Sequence, residues 1–357
     1  MWLNGSTPSW IIFQTALFNC VIIFQKRNTL NPFMKQPRKA RNSFKTTKLK
    51  FPLFVDKLLN EKSFLIMSGK PRPCGCKGYR SCLLCERELN LLPFKDDIFT
   101  ADSLKEQGIP SYIYCPLCNL AWPGWDYDPT EHPNHSGEAI AFPGIYIQPE
   151  FFTEKEMTEL MNSFDSIPWE SSVSGRRKQN FGPKTNFKKR KLQLGSFKGV
   201  PSFSRLFHER IQSVPLLKDY HTIEQCSLEY DPGRGASIEP HIDDCWVWGE
   251  RIVTLNLAGD SFLTMTKYHG GDDKYNLQEV DVELPKAEDI PDICVRIPQP
   301  ARSLVVIYGS ARYQWLHCVL RRDIKERRVC IALREFTKQF LDPNDSMGQA
   351  ILKTASN

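Results

Sequence analysis

No segment of the chain strings together the roughly 20 consecutive apolar residues that a bilayer-spanning helix needs. The nearest approach, Trp10 to Phe24, is interrupted by Gln14, Thr15 and Asn19, so no stable membrane association is expected. Acidic residues are missing before Asp56, while Lys26, Arg27, Lys35, Arg38, Lys39 and Arg41 follow the apolar stretch. That charge suits a transit peptide, but such leaders are amphipathic and serine-rich. Because Met67 opens MSGKPRPCGCKGYRSCLLCE like a natural start, residues 1–66 read as a disordered or non-native extension. A secretory signal and internal repeats are also lacking. Without a secretory route the twelve cysteines do not form a disulfide framework, and six of them, between Cys74 and Cys118, fall in close pairs. Pairs of that kind point to metal and to a reducing compartment, here cytoplasm and nucleus.

What is present suffices for a catalytic domain and a smaller module: 357 residues, 41% of them apolar. Four regions are expected: the extension, a Cys-rich zinc module over 70–120, a catalytic domain over 140–340 and a tail over 341–357. Thr153 with Glu156 three residues later has capping-box spacing and starts a helix whose apolar residues follow at 157, 160, 161 and 164. From 223 onward the pattern changes to short β-branched and aromatic runs: Ile223 to Tyr230, Arg251 to Leu257, Ser303 to Tyr308, Tyr313 to Val319 and Arg328 to Phe336. The stretch 259–302 is polar and turn-rich except around Val280 to Leu284 and Ile293 to Ile297, and is expected to carry a hairpin and loops between core strands. The fold class is therefore mainly β with flanking helices (α+β), its core a double-stranded β-helix or jelly roll.

Within this frame His241 and Asp243 are two residues apart, so on a strand they share one face. His317, from another strand, supplies a third donor, and two histidines with one carboxylate form the facial triad of non-haem Fe(II) oxygenases. In Arg328 to Arg334, alternation puts Arg328, Cys330, Ala332 and Arg334 on one face and Val329, Ile331 and Leu333 on the other. Buried arginines are costly unless paired. Two of them on a face of small residues call for an anion, and a dicarboxylate such as 2-oxoglutarate answers, with Tyr230 able to add a phenolic hydrogen bond.

The motifs CGCKGYRSCLLCE, SGRRKQNFGPK, HIDDCWVWGERIVTLNL, ARYQWLHCV and RRVCIALRE resemble the AlkB-type Fe(II)/2-oxoglutarate dioxygenases, and within that family the branch of the fourth animal homologue. The resemblance covers roughly 74–340. It implies Fe(II) on His241, Asp243 and His317, and 2-oxoglutarate on Arg328, Arg334 and Tyr230. One departure is Leu228, where the wider family often carries Asn. The implied activity is oxidative N-demethylation. For this branch the implied substrate is monomethyl-lysine on actin, affecting actomyosin processes, with N6-methyladenine in DNA as the alternative and a non-catalytic scaffold behind both.

Substrate contacts are expected from Asp244, Trp246 and Trp248 beside the triad, with Tyr313 and Trp315 as further aromatic faces; such groups suit a methylated ammonium. Ten Lys or Arg and no Asp or Glu lie between Ser171 and His208, among them Arg176 and Arg177. That segment is expected to be a basic loop facing DNA phosphates or an acidic protein surface. Cys74, Cys76, Cys82 and Cys85 offer four thiolates for a tetrahedral zinc, against free thiols or an iron–sulfur cluster. Cys115-x2-Cys118 with His132-x2-His135 resembles zinc-finger spacing, although WPGWDYDPT between them is not helical.

Overall fold

Two β-sheets and the helices packed on one of them account for most of the structure, a computed structural model that describes residues 71–78, 80–89 and 100–356. The extension over 1–66 and the apolar stretch from Trp10 to Phe24 lie outside the described residues. Numbered along the chain, the first sheet has the order β10 (Ile238–His241), β15 (Trp315–Val319), β12 (Ser261–Lys267), β13 (Cys294–Gln299), β1 (Ser111–Cys115), β2 (Leu120–Pro123), β3 (Ile140–Ala141). The second runs β4 (Ile145–Gln148), β14 (Ser303–Ile307), β11 (Trp248–Ala258), β16 (Arg328–Phe336), β9 (Glu224–Tyr230), β6 (Arg177–Phe181), β5 (Glu170–Ser171). A separate hairpin pairs β7 (Lys184–Asn186) with β8 (Lys191–Gln193). Neighbours are antiparallel except β1 and β13. This is the expected jelly roll.

Strict alternation in the second sheet builds two cores. Ile252, Val305, Ile307 and Cys330 belong to the core that also holds Leu263, Met265, Val295 and Ile297 of the first sheet. Their neighbours Val253, Leu255, Leu257, Leu304, Val306, Val329, Ile331 and Leu333 face the other way. There they meet α3 (Glu154–Asp165) and α4 (Arg205–Ile211) through Leu160, Phe164, Phe207 and Ile211. The α3 start is the capping box read from sequence: Thr153 Oγ1 accepts from the Glu156 N–H while the Glu156 carboxylate accepts from the Thr153 N–H. The arginine face of β16 thus opens between the sheets, as its alternation required.

Several boundaries differ from expectation. The 70–120 segment is not a free-standing module, because β1 and β2 extend the first sheet and the described residues all fall in one compact unit. The four-cysteine segment carries α1 (Leu83–Leu89) and is tied down by Glu86, whose carboxylate accepts two bonds from Arg321 at 2.7 and 2.9 Å. Gly75 lies so close to the chain that a Cβ would sit 2.8 Å from the Ser172 carbonyl oxygen, at a φ of +88° that favours glycine. Residues 341–357 are not a loose tail either: α7 (Ser346–Ala355) buries Ile351 and packs Leu352 and Ala355 on the core. The run from Tyr313 splits into a short helix α5 (Gly309–Tyr313) and β15. Within 259–302 the expected antiparallel pair is β12 with β13, and of the two apolar runs only Ile293 to Ile297 falls largely on a strand. No helix among the described residues is long and apolar enough to cross a membrane.

Candidate metal centre and co-substrate pocket

β10 and β15 run antiparallel with His241 directly opposite His317. That register sets two imidazoles side by side on neighbouring strands, tilted by 49° with ring centroids 4.3 Å apart. Asp243 follows the end of β10, and its Oδ1 lies 3.8 Å from His241 Nε2. One donor atom from each of the three side chains can be chosen so that all lie within 4.8 Å of one another. His241 Nδ1 is 2.8 Å from the Glu239 carbonyl oxygen; donating there, it leaves Nε2 as the lone-pair nitrogen toward the other two. His317 is buried, and its Nδ1 has no hydrogen-bond partner among the described residues.

The electrostatics suit a divalent cation. Burial acts to raise the Asp243 carboxyl, but Arg334, the two imidazoles and Arg312 outweigh it and hold the group well below the usual carboxylate range. Burial keeps both histidines below their ordinary value, His317 the further of the two. Two neutral imidazoles and one carboxylate are the protonation states a metal needs. Arg334 grips the carboxylate with Nε and Nη2 at 3.2 and 3.1 Å, while its Nη1 donates to Glu224 at 2.6 Å. In effect Arg334 orients the anionic ligand.

Arg328 starts β16 opposite Tyr230 on β9, with its guanidinium carbon 4.8 Å from the phenol ring centroid. Its Nε donates to Asn256 Oδ1 at 2.8 Å and Nη2 to Gln299 Oε1 at 2.9 Å. Nη1 is buried without a hydrogen-bond partner. A buried cation with a free donor, held in place by two neutral amides, is a socket for a carboxylate. Leu228, where the wider family often has Asn, pairs with Cys330 and packs against the core. The residues present therefore fit both Fe(II) and a dicarboxylate co-substrate.

The expected substrate residues divide. Asp244 is half-buried and accepts from Asn276 at 2.7 Å. Trp246 and Trp248 are core residues, 3% and 2% exposed, and form no cage. Arg312 is the reason: fully buried, it donates to the carbonyl oxygens of Asp243 at 2.8 Å, Trp248 at 3.3 Å and Gly249 at 3.3 Å, folding the post-ligand loop inward. Trp246 then meets Phe340 edge-on, and Trp248 lies under Arg334. Tyr313 and Trp315 are buried as well. Arg177 is ion-paired to Glu229, which also holds Arg234 and Arg327. Arg176 is buried near Tyr230 and faces the co-substrate pocket, not the surface. Asn256, Gln299 and Glu224 carry no local sequence signal, whereas Arg312 does, as a charge amid apolar residues inside the ARYQWLHCV motif.

The four-cysteine cluster has one sulfur from each of Cys74, Cys76, Cys82 and Cys85 within 4.8 Å of the others, the last three buried, and can hold zinc. It is wired to the metal centre. Arg80 reaches Glu239 at 3.4 Å, Ser174 donates to the same carboxylate, and the Glu239 carbonyl orients His241.

No family model matches the chain. Among curated proteins it is 40% identical over 295 residues to the human alpha-ketoglutarate-dependent dioxygenase alkB homolog 4, spanning 80% of this chain and 93% of the relative. The mouse protein of the same name is 37% identical, covering 79% and 93%. A Caenorhabditis elegans DNA N6-methyl adenine demethylase is 30% identical, covering 77% and 91%. A solved oxidoreductase of the 2OG-Fe(II) oxygenase family from Burkholderia pseudomallei aligns with 54% of this chain and 83% of its own at 11% identity and a TM-score of 0.35, too distant to argue from.

Proposed function

The chain belongs to the AlkB-type 2-oxoglutarate-dependent dioxygenases, oxidative demethylases by family, and from that premise we propose that it demethylates monomethyl-lysine on a protein. Actin is the substrate its branch implies, with actomyosin processes downstream, in cytoplasm and nucleus. His241, Asp243 and His317 are the residues that hold Fe(II) in this reading. Bound there with 2-oxoglutarate and O₂, the iron would supply the oxidising power for N-demethylation, with succinate, CO₂ and formaldehyde as the products.

The protein's own contribution is positional. Arg328 would bind the distal carboxylate of 2-oxoglutarate, its guanidinium held in place by Asn256 and Gln299. Arg334 keeps Asp243 anionic and oriented, and Arg312 fixes the loop that follows it. Trp246 and Trp248, packed beneath that loop, exclude water from behind the ligands. No side chain need act as acid or base.

The observation that supports a lysine substrate is Asp244. It is adjacent to an iron ligand, half-buried and tethered by Asn276, and burial raises its carboxyl above the usual value. A methylammonium would pair with this carboxylate, whereas a phosphodiester would be repelled by it. The DNA reading also has an observation behind it. On the β7–β8 hairpin Lys184, Lys188, Lys189 and Lys191 are exposed around Phe187, which is 46% exposed, a basic patch with one ring for stacking. Formaldehyde release from methyl-lysine actin and from an N6-methyladenine oligonucleotide separates the two. Turnover of actin that falls in Asp244→Asn supports the lysine reading; turnover of DNA alone overturns it.

A further inference from the structure

Beyond the iron centre and the four-cysteine cluster lies a third convergent donor set. Cys115 ends β1, Cys118 follows in the turn to β2, and His132 and His135 come from the loop after β2. One donor atom from each of these four lies within 4.8 Å of the others. Cys115 Sγ is 3.9 Å from His132 Nδ1, and Cys118 Sγ is 3.9 Å from His135 Nε2. A tetrahedron with metal–sulfur bonds of about 2.3 Å and metal–nitrogen bonds of about 2.0 to 2.1 Å has sulfur–nitrogen edges of roughly 3.6 Å. The observed spacings are close to those edges and long for a direct hydrogen bond.

The surroundings are those of a ligated site. Trp122 Nε1 donates to Cys118 Sγ at 3.4 Å, and its ring stacks on His135 with centroids 4.6 Å apart. Backbone N–H groups of Leu117 and Leu120 point at Cys115 and Cys118, as thiolate ligands require. The His135 side chain is only 4% exposed; its Nδ1 has no hydrogen-bond partner among the described residues, yet the Glu131 carboxylate lies 3.9 Å away. At that distance the carboxylate makes no hydrogen bond but puts a negative charge beside the imidazole. Asp128 caps the Pro129–Glu131 turn, which sets His132 and His135 side by side.

Every residue from 122 to 141 is at least partly exposed as a whole, so ordering this loop has little apolar burial behind it, and a metal crosslink to β1 would help to offset its entropy cost.

We propose that Cys115, Cys118, His132 and His135 bind a structural zinc ion that staples the 124–139 loop to the edge of the iron-bearing sheet. The donor set is closed, with two sulfurs and two nitrogens, so the ion takes no substrate.

The test uses the full chain, produced in zinc-supplemented medium and purified without chelators. Zinc per chain is measured for the parent, Cys115→Ser/His132→Ala and His135→Cys, alongside cobalt(II) spectra of the exchanged proteins. The double variant is expected to lose one zinc per chain relative to the parent. His135→Cys is expected to keep it while its cobalt spectrum gains a third thiolate. A folded double variant with parental zinc content overturns the proposal, as does a Cys115–Cys118 disulfide in the parent. If the double variant does not fold, a parental cobalt spectrum in His135→Cys overturns it.

Discussion

Replacing Arg328 by methionine isolates the co-substrate socket from the metal centre, because Arg328 touches none of the three metal-binding side chains. Its guanidinium spends one donor on Asn256 and one on Gln299 and leaves Nη1 free. A carboxylate there makes up to two charge-assisted hydrogen bonds, each contributing about 1.5 to 3 kcal/mol. At about 1.4 kcal/mol per tenfold, even the low end predicts a Kd for 2-oxoglutarate raised about 100-fold. Ligand-induced stabilisation follows RT ln(1 + [L]/Kd), so a concentration giving about 2.7 kcal/mol in the parent gives only about 0.4 kcal/mol in the variant. The assay is thermal unfolding with Mn(II), across a 2-oxoglutarate titration. Mn(II) affinity should be unchanged, and without 2-oxoglutarate the variant should stay folded, since the substitution removes a buried charge as well as two hydrogen bonds. An undiminished 2-oxoglutarate-dependent shift in Arg328→Met would refute the socket.

Three further outcomes follow from the same geometry. Burial opposes ionisation of Glu229, but Arg177, Arg327 and Arg234 hold its carboxyl at about 2 against an ordinary 4.5. Its folded value is depressed, so its contribution of roughly 3 kcal/mol is complete above pH 4.5 and lost as pH falls toward 2; denaturant unfolding should show the deficit of Glu229→Gln shrinking over that window. Cys82→Ser should release zinc from the four-cysteine cluster and, through Arg80, Ser174 and Glu239, weaken iron binding roughly tenfold, read by metal analysis and Fe(II) titration. Trp246→Ala should cost about 3 to 5 kcal/mol of stability in denaturant melts, as a core residue would, while the KM for the methylated substrate stays near the parental value.

The metal ligands and the arginine strand were legible because their signals are local and periodic. His241 and Asp243 are close in sequence, and Arg328 to Arg334 alternates along one unbroken strand with an apolar face behind it. The second sheet was legible for the same reason. What stayed hidden depends on distant pairing. Ser261 to Lys267 reads as polar, but Thr264 is a buried acceptor for Arg296, and the strand exists because β13 and β15 flank it. Trp246 and Trp248 look like a cage from their nearness to the ligands; only Arg312, many residues away, turns them inward. Arg177 looks like a free cation until Glu229 is found opposite it in the β6–β9 register. The cysteine segment looks like a separate module because no pattern announces that β1 will pair with β13.

In the function proposed, His241, Asp243 and His317 hold the iron that couples 2-oxoglutarate oxidation to demethylation. Succinate formed from 2-oxoglutarate with Fe(II) and O₂ tests it most directly, comparing the parent with His241→Ala and Asp243→Ala, each verified as folded. Turnover is expected in the parent and background in both variants. Parental succinate formation by either variant would contradict it.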